Sequence, residues 1–185
     1  MTKKEKNGLI DRAIENWSAS TNEIGYQVPF CHCLISEGST VLHLSSPGKR
    51  EQGKDIISID KYGQPCAYQI KAGNIDLKEW RRIKKEIDEL VETPINCPGI
   101  DKEKKHRAVL VTNGKISDQV KDEINNLNPV YKKRGFSELE VITRIDLLKR
   151  FLKVQTVFLP RELSDFKLFL GVLKIIFFQI INWLI

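Results

Sequence analysis

Asp55-Ile-Ile-Ser-Ile-Asp60-Lys-Tyr-Gly-Gln-Pro65-Cys-Ala-Tyr-Gln-Ile-Lys71 is the stretch that decides the fold of this chain. Asp55 to Asp60 is a β-branched run with the character of a strand. Lys61 to Pro65 carries turn residues, and Cys66 to Lys71 reads as the returning strand of a hairpin. Alternate residues on a strand share a face. Gln69 and Lys71 therefore project to one side, while Tyr68 and Ile70 project to the other, into apolar packing. The turn brings the Gln69–Lys71 face back beside Asp55, so that a carboxylate, an amide and an ammonium converge on one patch of sheet.

Outward from the hairpin, the pattern alternates helix and strand. Downstream, Leu77 to Val91 has an apolar stripe at helical spacing (Trp80, Ile83, Ile87, Leu90), and Asp76 with Glu79 resembles a capping box. Thr93 to Arg107, with two prolines and a run of charges, reads as a surface loop. Ala108 to Thr112 is a short apolar run of the kind found in buried strands. A helix from about Asp118 to Leu127 follows, with Ser117 as its N-cap, then a strand Leu139–Thr143 and a closing helix Ile145–Leu152. Upstream, residues 7–24 read as a helix with Ile10, Ala13, Ile14 and Trp17 on one face and Gly25 as its stop. Residues 26–35 and Val41–Leu44 read as strand or irregular packing. The order α-β-β-α-β-α-β-α predicts an α/β fold, a mixed central sheet flanked by helices.

The chain has 185 residues, 41% of them apolar, which suits one compact domain with an appended element and not two full domains. A formal net charge of +6 suits an anionic partner without choosing between nucleic acid and a membrane surface. The charged start, Met1-Thr-Lys-Lys-Glu-Lys, leads into no apolar signal region. Reduced thiols and a cytoplasmic setting are expected for Cys31, Cys33, Cys66 and Cys97. Structural zinc sites pair cysteines two to four residues apart on a turn. Cys31-His32-Cys33, taken as extended with neighbours on opposite faces, reads instead as strand residues beside a core. No phosphate-binding glycine loop and no nucleophile elbow occurs.

Phosphodiester hydrolysis needs a hard divalent cation held by a few oxygens, with open positions for water and phosphate, and a cation near the attacking water or the developing charge. The hairpin offers those groups, since an amide oxygen is a legitimate ligand for Mg²⁺. The pattern Gly53-Lys-Asp55-Ile-Ile, a hairpin, then Tyr68-Gln-Ile-Lys71 resembles the PD-(D/E)xK restriction-endonuclease-like superfamily, and within it the Mrr-like branch, where the motif reads QxK. The resemblance extends over residues 8–152: a helix with Glu15 ten residues before Gly25-Tyr26, then a helix, an apolar strand ending at Thr112, a helix, and a last strand and helix. It implies a restriction-endonuclease-like core acting on DNA with Mg²⁺ or Mn²⁺. Asp55 and Gln69 would bind the metal, Lys71 would orient or activate water, and Glu15 would hold a water or complete the ligand set. It also implies a part in restriction or anti-phage defence. The segment between Gly25 and Asp55 is longer than usual for that group, and Lys54 stands where a proline or small residue is usual.

Lys49, Arg50 and Lys54 flank the motif and are expected to contact phosphate. The charges of the long helix, Glu79, Arg81, Arg82, Lys84, Lys85, Glu86, Asp88 and Glu89, read as a solvated face with intrahelical pairs. The nuclease domain is expected over 1–155, with 156–185 a linker and an apolar C-terminal helix. Phe166 to Ile185 is almost wholly apolar, broken by Lys167, Lys174, Gln179 and Asn182, and is about long enough to span a bilayer. Packing against another domain or a second copy, lying on a membrane, and spanning one all remain open. A chain that stops inside an apolar helix is also what a fragment of a longer protein looks like. Two other functions compete with a nuclease. One is an inactive nucleic-acid-binding module, which Gln69 in place of an acid favours. The other is a membrane or oligomer-forming interaction protein acting through 166–185.

Overall fold

The computed structural model describes residues 3–45 and 53–154. Lys49, Arg50 and the apolar segment 166–185 lie outside the described residues. The chain divides into a compact unit, Met1–Leu152, and a second, Lys153–Ile185, almost all of which lies outside them too. Among the described residues no helix is long and apolar enough to cross a membrane.

The first unit opens with two helices, α1 (Lys3–Ser20) and α2 (Glu23–Ser36). Strands β1 (Thr40–Leu44), β2 (Ile56–Ile59) and β3 (Pro65–Lys71) follow, then α3 (Leu77–Glu92), β4 (Arg107–Thr112), α4 (Asp118–Lys133) and β5 (Leu139–Ile142). Residues 144–154 form a further helix, α5. The strands make one sheet in the order β1-β2-β3-β4-β5. β1, β2 and β3 pair antiparallel, whereas β3, β4 and β5 pair parallel through the α3 and α4 crossovers. This is the α/β architecture, a mixed sheet flanked by helices, expected from the pattern of elements.

Helices cover both faces of β3, which is buried along its whole length. One face carries Ala67, together with Ala108, Leu110, Ile57 and Leu139, against Trp80, Ile83, Ile87 and Leu90 of α3 and Val120, Ile124 and Tyr131 of α4. Burying this cluster supplies the main drive for folding, about 1.5–3 kcal/mol for each isoleucine, leucine or valine. On the opposite face Phe30 of α2 meets the Tyr68 ring edge-on at 5.4 Å. The caps are local. Asp76 accepts from the Glu79 N–H and Ser117 from the Val120 N–H, each satisfying a donor that its helix leaves unpaired.

The expected reading fails at residues 26–35, which are helix and not strand or irregular chain. Aromatic, β-branched and cysteine residues with a proline give this segment a strand's composition. Packing overrides composition here. Tyr26, Phe30, Cys33 and Leu34 fall at i, i+4, i+7 and i+8, and all four are buried. Pro29 leaves one helical hydrogen bond unmade, which the buried stripe outweighs. The first helix ends at Ser20 rather than Gly25. Asn22 caps α2 instead, its side chain accepting from the Gly25 N–H at 2.9 Å. With the helix, the alternation argument for Cys31-His32-Cys33 also falls: His32 is exposed, and both thiols are buried. Burial pushes Cys31 up to about 11 and Cys33 up to about 12. α4 runs past the expected Leu127 through Pro129 to Lys133, because Tyr131 continues its buried stripe.

Candidate active site

The β2–β3 register pairs Ile56 with Tyr68, which puts Asp55 opposite Gln69 at the start of β2. The main chain holds it there: the Asp55 N–H donates to the Tyr68 carbonyl at 2.8 Å, and the Ser45 N–H donates to the Asp55 carbonyl at 2.7 Å. Asp55 Oδ2 accepts two hydrogen bonds, from Gln69 Nε2 at 2.8 Å and from the Ile70 N–H at 2.7 Å. The Gln69 carbonyl oxygen, Oε1, is buried and has no hydrogen-bond partner. A buried amide oxygen without a partner costs stability unless a ligand, ion or water meets it. Here it stands beside the one carboxylate whose second oxygen is not used in those two bonds.

Lys71, two residues on and on the same face as Gln69, is buried, with Nζ 2.5 Å from Glu86 Oε2 of α3. The Asp55 carboxyl is pushed above its ordinary range, first by burial. The Ile70 N–H and the Lys71 charge oppose that shift, while Glu23 and Glu86 add to it. Asp55, Gln69 and Lys71 therefore come together, with Glu23 and Glu86 close enough to act on them electrostatically.

Glu15 pairs elsewhere, with Arg144 at 3.2 Å, and makes no hydrogen bond or ion pair to Asp55, Gln69 or Lys71. The helix carboxylate placed at the cluster is Glu23, in the first turn of α2, whose Oε1 accepts from the Ala72 N–H just beyond Lys71. Lys54 also departs from expectation. It is 3% exposed and turned inward, its Nζ donating to the Glu89 carbonyl at 3.3 Å, and burial pulls its pKa down to about 8. Gly53 is the reason. It has φ +70°, and an added Cβ would fall 2.4 Å from the Glu86 carbonyl oxygen, so the chain enters β2 pressed against α3.

Three supporting residues were given no role by the sequence. The Tyr26 hydroxyl donates to the Lys71 carbonyl at 2.6 Å, anchoring the end of β3 to α2. Asn113, just past β4, accepts from the Gly73 N–H at 2.7 Å and donates to the Ser18 and Thr21 carbonyls, each at 2.8 Å. One side chain thus ties the turn after β3 to the junction of α1 and α2. Glu86 is the third. The expected intrahelical pairs of α3 do form at Arg82–Glu79, Lys84–Asp88 and Lys85–Glu89, but Glu86 reaches across to β3 instead. The signal for Asn113 was weak, an Asn-Gly pair closing an apolar strand; Tyr26 was marked only as half of the Gly25-Tyr26 pair, and Glu86 only as one charge on a solvated face.

The donor set suits a small hard cation that keeps most of its waters: Asp55 Oδ1 and Gln69 Oε1 are two oxygens on one patch, and Mg²⁺ is commonly bound by one or two protein oxygens. Among the described residues no group of three or more His, Cys, Asp or Glu could hold a metal ion. A cavity of about 220 Å³ lined by Val91, Pro94, Phe136 and neighbouring residues lies at the far end of α3 and takes no part in this cluster.

No protein-family model and no curated protein matches the chain. Among solved structures it is similar to the DNA modification-dependent restriction endonuclease AspBHI, with a TM-score of 0.40 and 16% identity, over 84% of this chain. The chain spans 39% of that protein's length. A likeness of this size decides neither fold nor chemistry, which rest on the geometry above.

Proposed function

We propose that this chain is a restriction-endonuclease-like nuclease that hydrolyses DNA phosphodiester bonds with Mg²⁺ or Mn²⁺, using Asp55, Gln69 and Lys71. The observation that carries the reading is the buried, unpartnered Oε1 of Gln69 beside Asp55. A divalent cation held by Asp55 Oδ1 and Gln69 Oε1 would supply charge neutralisation at the phosphate and a more acidic water. The Nε2 bond to Asp55 holds the Gln69 amide beside the carboxylate, and a rotation of the amide would bring its oxygen to a shared cation. The Lys71 ammonium, on the same strand face, stabilises negative charge developing on the phosphoryl oxygens. Glu23, rather than Glu15, is the carboxylate that orients a water or takes up its proton. Lys49 and Arg50 contact the DNA backbone. A role in restriction or anti-phage defence rests on the resemblance alone, and is tested by whether expression with an activating trigger degrades cellular DNA.

Plasmid DNA incubated with and without Mg²⁺ or Mn²⁺ tests the assignment. Metal-dependent nicking is expected, reduced at least about a hundredfold by Asp55→Ala and by Lys71→Ala. Nicking that survives both substitutions would falsify the placement of the site.

Gln69, an amide where an acid is usual, favours a second reading, a binding module without turnover. It predicts salt-sensitive DNA binding with no metal-dependent cleavage. The reading through residues 166–185, by membrane or oligomer, concerns a segment outside the described residues. Deleting it while leaving Asp55 intact tests it directly.

A further inference from the structure

A lysine side chain has four rotatable carbons, so a place on β3 does not by itself fix where its ammonium stands. Lys71 is nonetheless buried, and a buried cation needs a partner to be tolerated. Asp55 acts on it only at longer range, and Asp55 Oδ2 is held by Gln69 and the Ile70 N–H. The ion pair of Lys71 is with Glu86 Oε2 at 2.5 Å. Glu86 is in turn well placed to hold still. It belongs to the four-turn helix α3, where the flanking side chains Ile83, Ile87 and Leu90 are locked into the core. The backbone carbonyl of the same residue is the atom against which Gly53 packs on the way into Asp55. One helical residue therefore abuts the Asp55 strand through its main chain and the Lys71 strand through its side chain.

From this juxtaposition we propose that Glu86 is a positioning residue of the hydrolytic centre, acting through Lys71 to fix the ammonium relative to Asp55 and Gln69. The inference rests on the nuclease reading above. It assigns Glu86 no contact with the phosphate or the cation. The Glu86 side chain is half-exposed while Lys71 is buried, and without this pair the ammonium would be free to turn toward the DNA backbone. Losing the tether then leaves DNA binding and cation binding intact and lowers the fraction of complexes in which the ammonium is aligned.

Steady-state nicking by the full chain, as wild type, Glu86→Gln, Glu86→Ala, Lys71→Ala and the double variant Glu86→Gln/Lys71→Ala, tests this. Alignment losses of this kind cost about ten- to a hundredfold in rate. Glu86→Gln and Glu86→Ala should lower kcat by that much, with KM for DNA and Mn²⁺ affinity by titration changed less than about twofold. In the Lys71→Ala background Glu86→Gln should have no further effect, because nothing is left to position. A drop in Mn²⁺ affinity in Glu86→Gln would make Glu86 a metal ligand and overturn the proposal, as would additive losses in the double variant. If the wild type itself does not cleave, the nuclease reading fails first. The tether is then judged by thermal melts of the same four variants, where a coupling of zero between Glu86 and Lys71 overturns it.

Discussion

Burial makes the Asp55 carboxylate costly in the absence of a cation, and the direction of its shift gives a testable pH dependence. A carboxyl whose folded pKa is raised contributes stability that is fully present below its unfolded value, about 3.9. That contribution is lost as pH rises through the folded pKa. Asp55→Asn removes the ionisation while an amide oxygen still accepts from Gln69 and the Ile70 N–H. Scanning calorimetry without divalent ions should show it matching wild type at low pH and melting higher above the window, by on the order of 1 kcal/mol. A variant that melts lower at pH 7 than at pH 4 relative to wild type would reverse this account. Asp55, Gln69 and Lys71 were legible from sequence because hairpin pairing and the two-residue strand period are local rules. Glu23, Glu86 and Asn113 were not, since each acts through a partner from another element, and a lone carboxylate or amide in a polar sequence announces no such partner. Lys54 misled for the same reason: nothing local says that Gly53 presses the chain against α3.

At the scale of elements, α2 is where local reading and packing part company. Strand alternation would put Tyr26, Val28 and Phe30 on one face, whereas the helix buries Tyr26 and Phe30 and leaves Val28 half exposed. Urea unfolding separates the two. Phe30→Ala should cost about 3–5 kcal/mol and Val28→Ala less than about 0.5 kcal/mol. Comparable losses at both positions would restore the strand. The remaining elements were readable because their patterns agree with their packing: the stripe of α3, the apolar run of β4 and the caps at Asp76 and Ser117 all recur in the structure. α4 was read too short, since Pro129 marks a helix end by local rules while Tyr131, bonded to Asp88 at 2.6 Å, holds the helix on.

For the whole molecule, a net charge of +6 is compatible with a polyanion and becomes informative only through its salt dependence. If Lys49 and Arg50 each neutralise a phosphate, replacing both with alanine should lower the slope of log K against log salt by about 2, as measured by fluorescence anisotropy on duplex DNA. An unchanged slope would remove them from the interface. The mixed sheet was predictable as a whole because strands and helices alternate; its assembly was not, because it depends on ties across the fold. Asn113 makes a buried one, joining the end of β4 to carbonyls 95 and 92 residues earlier in the chain. Contacts of that sequence separation form late and slowly. As the polypeptide is synthesised, the Asp55–Lys71 hairpin leaves the ribosome well before the amide that braces it to the first two helices. A half-made chain thus carries the whole Asp55–Lys71 motif without the brace that seats it, and the site takes its final shape only once β4 has emerged.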